Sequence, residues 1–204
     1  CFVLDPGNDE DIFITALSPI IDKMEIAHHL VLRADTNGDI LETHRDKPFK
    51  CFDEDFKDPE LNSMANDWTD IAAWGPGGPP IDFGEGRGLR IKAGAALVLQ
   101  MHYFESSPGA SLLEDTSGYA FRTAPAVDEE VFQFYFGVYD FVIPPGAESY
   151  SRGAELAIPR TYDTRFNLLG TFPHMHVLGD SYNMWIENSD GTERCITEGE
   201  YDFN

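Results

Sequence analysis

Short apolar runs broken by turn signals set the pattern of the chain. Runs rich in β-branched, aromatic and aliphatic residues cover 26–33, 97–104, 131–143, 166–172 and 181–187. None sustains a 3.6-residue period, so each reads as a strand. Turn chemistry separates them at Asn37-Gly38, Pro76-Gly77-Gly78-Pro79-Pro80, Pro108-Gly109, Pro144-Pro145-Gly146 and Asp190-Gly191. The best helical candidate, 58–74, has room for a turn or two. Many short strands with frequent turns predict an all-β sandwich or barrel. Asn37-Gly38 lies between two apolar runs and predicts a hairpin turn. The acidic stretch around it does not complete an EF-hand loop. The least structured stretch, 123–130, is the expected boundary between domains at 1–124 and 125–204.

Composition narrows the function classes. The chain has 204 residues, enough for two domains of about 100 each. A hydrophobic fraction of 42% with 13% aromatics can fill a core. Fourteen Lys and Arg against 36 Asp and Glu give a formal charge of −22. That argues against nucleic acid and anionic membrane surfaces, which need clustered cations. No apolar run approaches the roughly 18 residues of a bilayer span. Three cysteines, an odd number, leave one without a partner in the chain. Cys1 and Cys51 flank the His28-His29 segment, and a disulfide between them would staple the strand that carries those histidines; a lipidated Cys1 is the alternative. Cys195 is then unpaired. The abrupt opening at Cys1 is read as the loss of an upstream segment.

The six histidines hold the candidate chemistry. His174 and His176 fall in a predicted strand over 168–178, where residues two apart project from one face. Side by side, two imidazoles favour a transition metal over Mg or Ca. By itself the pair is equally consistent with two surface histidines. His28 and His29 are neighbours, so on a regular strand they point to opposite faces. Both can serve one ion only if the strand ends or bulges there, or if they bind it from opposite sides. His102 shares a strand face with Val98 and Gln100, opposite Leu97, Leu99 and Met101. His44, in a polar stretch, reads as a solvated loop residue.

Taken in order, these elements resemble a known family. His-His, then Gln-x-His-Tyr on a strand, then His-x-His is the pattern of the copper type II, ascorbate-dependent monooxygenases. This is the family of the peptidylglycine α-hydroxylating and dopamine β-monooxygenases. Cys1-Phe2, Ala73-Trp74-Gly75-Pro76-Gly77, 97–103 and Ile143-Pro144-Pro145-Gly146 match as well, so the likeness covers nearly the whole chain.

The resemblance implies two antiparallel β-sandwich domains of jelly-roll type, the second truncated. His28, His29 and His102 would hold an electron-donating copper, with Gln100 as a supporting partner. His174 and His176 would hold an oxygen-activating copper. The methionine that completes that second site in the family lies past Asn204. The chain is therefore expected to be a fragment, nearly inactive alone, the alternative being a natural short form whose second site is incomplete. The implied activity is hydroxylation of a C–H bond of a small substrate with O2 and ascorbate as reductant, in a secreted, periplasmic or cell-surface protein. The peptide-amidating members carry an Arg two residues before His-x-His; here it is Phe172, which cannot pair with a substrate carboxylate. The alternative function is a copper-binding β-sandwich module without oxygenase activity, used for delivery, storage or structure.

Overall fold

A computed structural model describes residues 1–45, 47–50, 68–104, 109, 112–134, 136–138, 140–157 and 167–201. The chain divides into two compact units, Cys1–Ile158 and Pro159–Asn204. The protein is mostly β. One short helix, α1 (Ile40–His44), stands among the strands of the described residues.

The first unit holds two sheets. One has the order β1 (Phe2–Leu4), β7 (Ala96–Tyr103), β3 (Ala27–Asp35), β4 (Trp68–Trp74), with every neighbour antiparallel. In the other, β2 (Ile12–Ile20) is central. It pairs with β8 (Gly118–Ala124) along one edge, and with β5 (Ile81–Asp82) and β6 (Arg87–Ile91) along the other. β9 (Glu129–Val131) extends that sheet and is the exception in direction, running parallel to β6.

Alternation explains the core in β3, β6 and β7, and register shifts at 14–16 of β2 and at 70–72 of β4 bring residues three apart into it. Ile14 and Leu17 of β2, Leu30, Leu32 and Ala34 of β3, Ile71 and Trp74 of β4, Leu89 and Ile91 of β6, and Leu97 and Leu99 of β7 belong to one buried cluster. Both sheets therefore contribute to the same apolar interior. The opposite face of β7 is covered too: Ala96 and Val98 pack with Val3, Ile40 and Trp68 in a second cluster beside α1. A strand buried on both faces reads as a continuous apolar run, which accounts for 95–99.

Several expectations are corrected. Asn37-Gly38 does form a turn, with Gly38 N donating to Asp35 O at 3.2 Å and φ of +75° at Gly38. It leads into α1, however, and not into a hairpin strand. Asp35 is the cause. Its buried carboxylate accepts from Asn37 N (3.2 Å) and Ile40 N (2.9 Å) and so holds the first helical turn. Of the helical candidate 58–74, residues 58–67 lie outside the described residues, and Trp68–Trp74 is strand β4. His44 ends α1 half-buried, its ring 4.4 Å from that of Phe49.

The expected boundary at 124/125 falls inside the first unit, because pairing continues beyond it. Asp128 N and Glu129 N both donate to Gly86 O, and Arg87–Glu129 and Arg90–Glu130 ion pairs bind β9 to β6. The described residues between 132 and 143 form no strand. The Pro76-Gly77 turn is as expected, closed by Gly78 N to Gly75 O at 2.9 Å.

The second unit contains a hairpin, β10 (Ser181–Glu187) and β11 (Glu193–Glu200). Asp190-Gly191 forms its turn, with Asp190 Oδ1 accepting from Thr192 N at 2.9 Å.

Candidate metal centre

β3 and β7 bring three histidines together at one end of the first sheet. His29 stands directly across from His102, while Ala27 stands across from Tyr103. His28 is thus an extra residue between two consecutive pairs, a β-bulge. The bulge lifts the prohibition that alternation imposes: two adjacent side chains turn toward the same partner. His28 Nδ1 lies 3.1 Å from His29 Nδ1. Ring centroids are 5.0 Å apart for His28–His102 and 4.5 Å for His29–His102.

One ring nitrogen from each histidine falls within 4.8 Å of the other two. At metal–nitrogen bonds of about 2.0–2.1 Å, two ligands are about 3.4 Å apart in a tetrahedral sphere and about 4 Å apart when opposed. The three rings would have to draw together from within 4.8 Å to close on an ion. Two ring nitrogens at 3.1 Å need either a proton or a cation between them, since two bare lone pairs repel. The donor set is three imidazoles with no carboxylate among them, which suits Cu or Zn and disfavours Mg and Ca.

The surroundings of His102 favour its neutral form. Burial, and next the charge of His28, push the His102 pKa below its ordinary value. The Tyr103 phenol is pushed up to about 12, by burial first and then by its hydrogen bond to Asp115 and that residue's charge. It therefore stays a donor throughout the physiological range. Gln100 Oε1 accepts from Arg33 Nη1 at 3.5 Å, and Arg33 Nε donates to Asp70 Oδ1 at 2.7 Å. A polar row so crosses the strands next to the histidines. Burial raises the Asp70 pKa despite the opposing effect of Arg33.

His174 and His176 are adjacent in space, as their spacing predicts, with ring centroids 5.1 Å apart and planes at 81°. The predicted strand over 168–178 does not form: the described residues 167–176 are in no sheet. Two bonds anchor the segment instead, Tyr201 Oη to Met175 O and Gly179 N to His176 O, both 2.7 Å. Local desolvation, then His176, lower the His174 pKa. Phe172 is exposed.

Cys51 lies outside the described residues, and with it the expected Cys1–Cys51 pair. Cys1 and Phe49 exchange backbone hydrogen bonds of 2.6 and 3.0 Å, which brings Cys1 close to that part of the chain. Cys195 is a free, exposed thiol. Asp115 was not legible as a contributor. Its only signal is that its partner Tyr103 follows His102, and that becomes visible only in the fold.

No protein-family profile matches the chain, and no curated protein is similar enough to count as a relative.

Proposed function

We propose that this chain belongs to a secreted, periplasmic or cell-surface copper-dependent monooxygenase. It hydroxylates a C–H bond of a small substrate with O2 and an ascorbate-like reductant. The observation that carries the reading is the bulge at His28, which gives His-His and the Gln-x-His histidine a common focus. Bound copper would supply one-electron redox chemistry that a redox-silent ion cannot. His28, His29 and His102 would hold that ion; burial and His28 favour the neutral form of His102, and the sheet beneath supports the strands that carry them. His174 and His176 are the proposed ligands of a second, oxygen-activating copper. The architecture is read as two antiparallel sandwiches, with the β10–β11 hairpin belonging to the second. Phe172 favours a substrate without a carboxylate at that position.

A copper-binding module without oxygenase activity is the second reading. It is favoured by one observation: the His28/His29/His102 site is complete on a packed sheet, whereas His174 and His176 offer two ligands outside any sheet. Ascorbate-dependent O2 uptake by the copper-loaded natural protein that carries this sequence separates the two. The monooxygenase reading expects uptake that His176→Ala abolishes. Tight copper binding with no uptake leaves the module reading standing. No described helix is long and apolar enough to cross a membrane.

A further inference from the structure

The histidine bulge sits where the β3–β7 ladder ends, so the ladder alone fixes its geometry poorly. The extra residue uncouples His28 from regular pairing, and the last pair of the ladder is Ala27–Tyr103. One carboxylate reaches both strands at this point. Asp115 Oδ2 accepts from Tyr103 Oη at 3.0 Å, which holds the β7 side. Asp115 Oδ1 accepts from Lys23 N at 3.1 Å, which holds the turn opening β3. That turn is tight, because Lys23 O accepts from Ile26 N at 3.1 Å and Ala27 N at 2.9 Å. Phe104 N donates to Ile26 O at 2.9 Å. The result is a closed ring: Asp115 to Lys23, through the turn to Ala27, across the ladder to Tyr103, and back to Asp115.

The carboxylate is itself fixed. Ser117 Oγ donates to Asp115 Oδ1 at 2.7 Å and accepts from Asp22 N at 2.9 Å. Asp22 Oδ2 accepts from Thr116 N and Thr116 Oγ1, each at 3.3 Å. The segment carrying Asp115 is thereby tied to the same turn at three further points.

We infer that Asp115 is a positioning residue for the His28/His29/His102 metal site, acting through Tyr103 and the Lys23 turn to hold the two strands at the separation the three imidazoles need. The inference rests on the reading of that triad as a metal site. Neither Asp115 nor Tyr103 Oη need touch the ion: their effect is on where His28 and His102 stand relative to each other.

The test is a Cu(I) competition titration of the full 204-residue chain with a chromogenic chelator, together with the Cu(II) electron paramagnetic resonance spectrum. Wild type, Asp115→Ala and Tyr103→Phe are compared. Partners of metal-bound histidines typically change affinity 10–100-fold, so Asp115→Ala is expected near the lower end, about tenfold, and Tyr103→Phe about threefold. Both should alter the Cu(II) nitrogen hyperfine pattern, which a loss of overall stability alone would not do. Tyr103→Phe removes one oxygen from a partly exposed ring and serves if Asp115→Ala does not fold. Wild-type affinity and spectrum in a folded variant overturn the positioning role and leave the metal site standing. Absence of copper binding by the wild type overturns both.

Discussion

At the scale of single residues, the proposed metal site is a set of imidazoles whose protonation would compete with copper. His102 has a lowered pKa because burial and His28 disfavour its cation. The folded protein thus holds the neutral, ligating form to lower pH than a free imidazole would. Copper should be retained at pH 7 and be lost as pH falls below about 6, since coordination needs the neutral ring. The same shift acts on the apo fold. Through the ordinary imidazole range the unfolded chain takes up a proton before the folded one does, so stability falls with decreasing pH until the folded pKa is passed. Equilibrium dialysis between pH 5 and 7.5 checks the first statement; copper retained in full at pH 5 would contradict it. Cys1 offers a second residue-scale prediction. Its backbone exchange with Phe49 makes the Cys1–Cys51 disulfide the expected bond, with Cys195 free. Peptide mapping under non-reducing conditions should find that linked pair, and two alkylatable thiols at Cys1 and Cys51 would reject it.

At the scale of elements, the decisive feature is one extra residue. β3 and β7 were legible because each alternates or runs apolar over its full length, and β10 likewise. His28 and His29 could serve one ion with His102 if the strand ended or bulged there, or if they bound it from opposite sides, and a bulge is what the strands contain. Deleting Ala27 tests this directly. His28 would move into the place opposite Tyr103 and regular alternation would send it to the face away from His29. One imidazole of three is then lost, costing about 3 kcal/mol if a complete site is worth about 10 shared among its ligands, or roughly a hundredfold in copper affinity. Far-UV circular dichroism should remain that of a β protein; unchanged copper affinity in the folded deletion variant would show that the bulge is not required. Other elements were illegible for identifiable reasons. Trp68–Trp74 carries Ala72 and Ala73, which favour helix, and its ladder with β3 overrides that preference. The turn at Asn37-Gly38 has hairpin chemistry, but the capping carboxylate of Asp35 directs the chain into α1. The aromatic run at 131–143 looks like a strand, yet among its described residues only Val131 lies in one, as the last residue of β9.

At the scale of the whole molecule, the two histidine groups are held in unequal ways, which predicts the order in which they would take up metal. His28, His29 and His102 come from two strands of one sheet. That sheet packs on a large core through Leu30, Leu32, Leu97 and Leu99. The cost of arranging the three rings is therefore largely met by folding, before any ion arrives. His174 and His176 belong to the second unit, where the described strands are a single hairpin and the histidine segment is outside it. Two ligands on such a segment leave most of a coordination sphere to water, and ordering the segment is charged against binding. A strong formal charge of −22 raises the local concentration of any cation near the surface. The 204-residue chain should consequently bind one copper tightly and a second weakly. In a Cu(I) titration, His102→Ala should abolish the tight phase and leave the weak one. His176→Ala should do the reverse. If His176→Ala removes the tighter phase while His102→Ala leaves it intact, the hierarchy is wrong, and with it the view that packing beneath β3 and β7 prepares the first site.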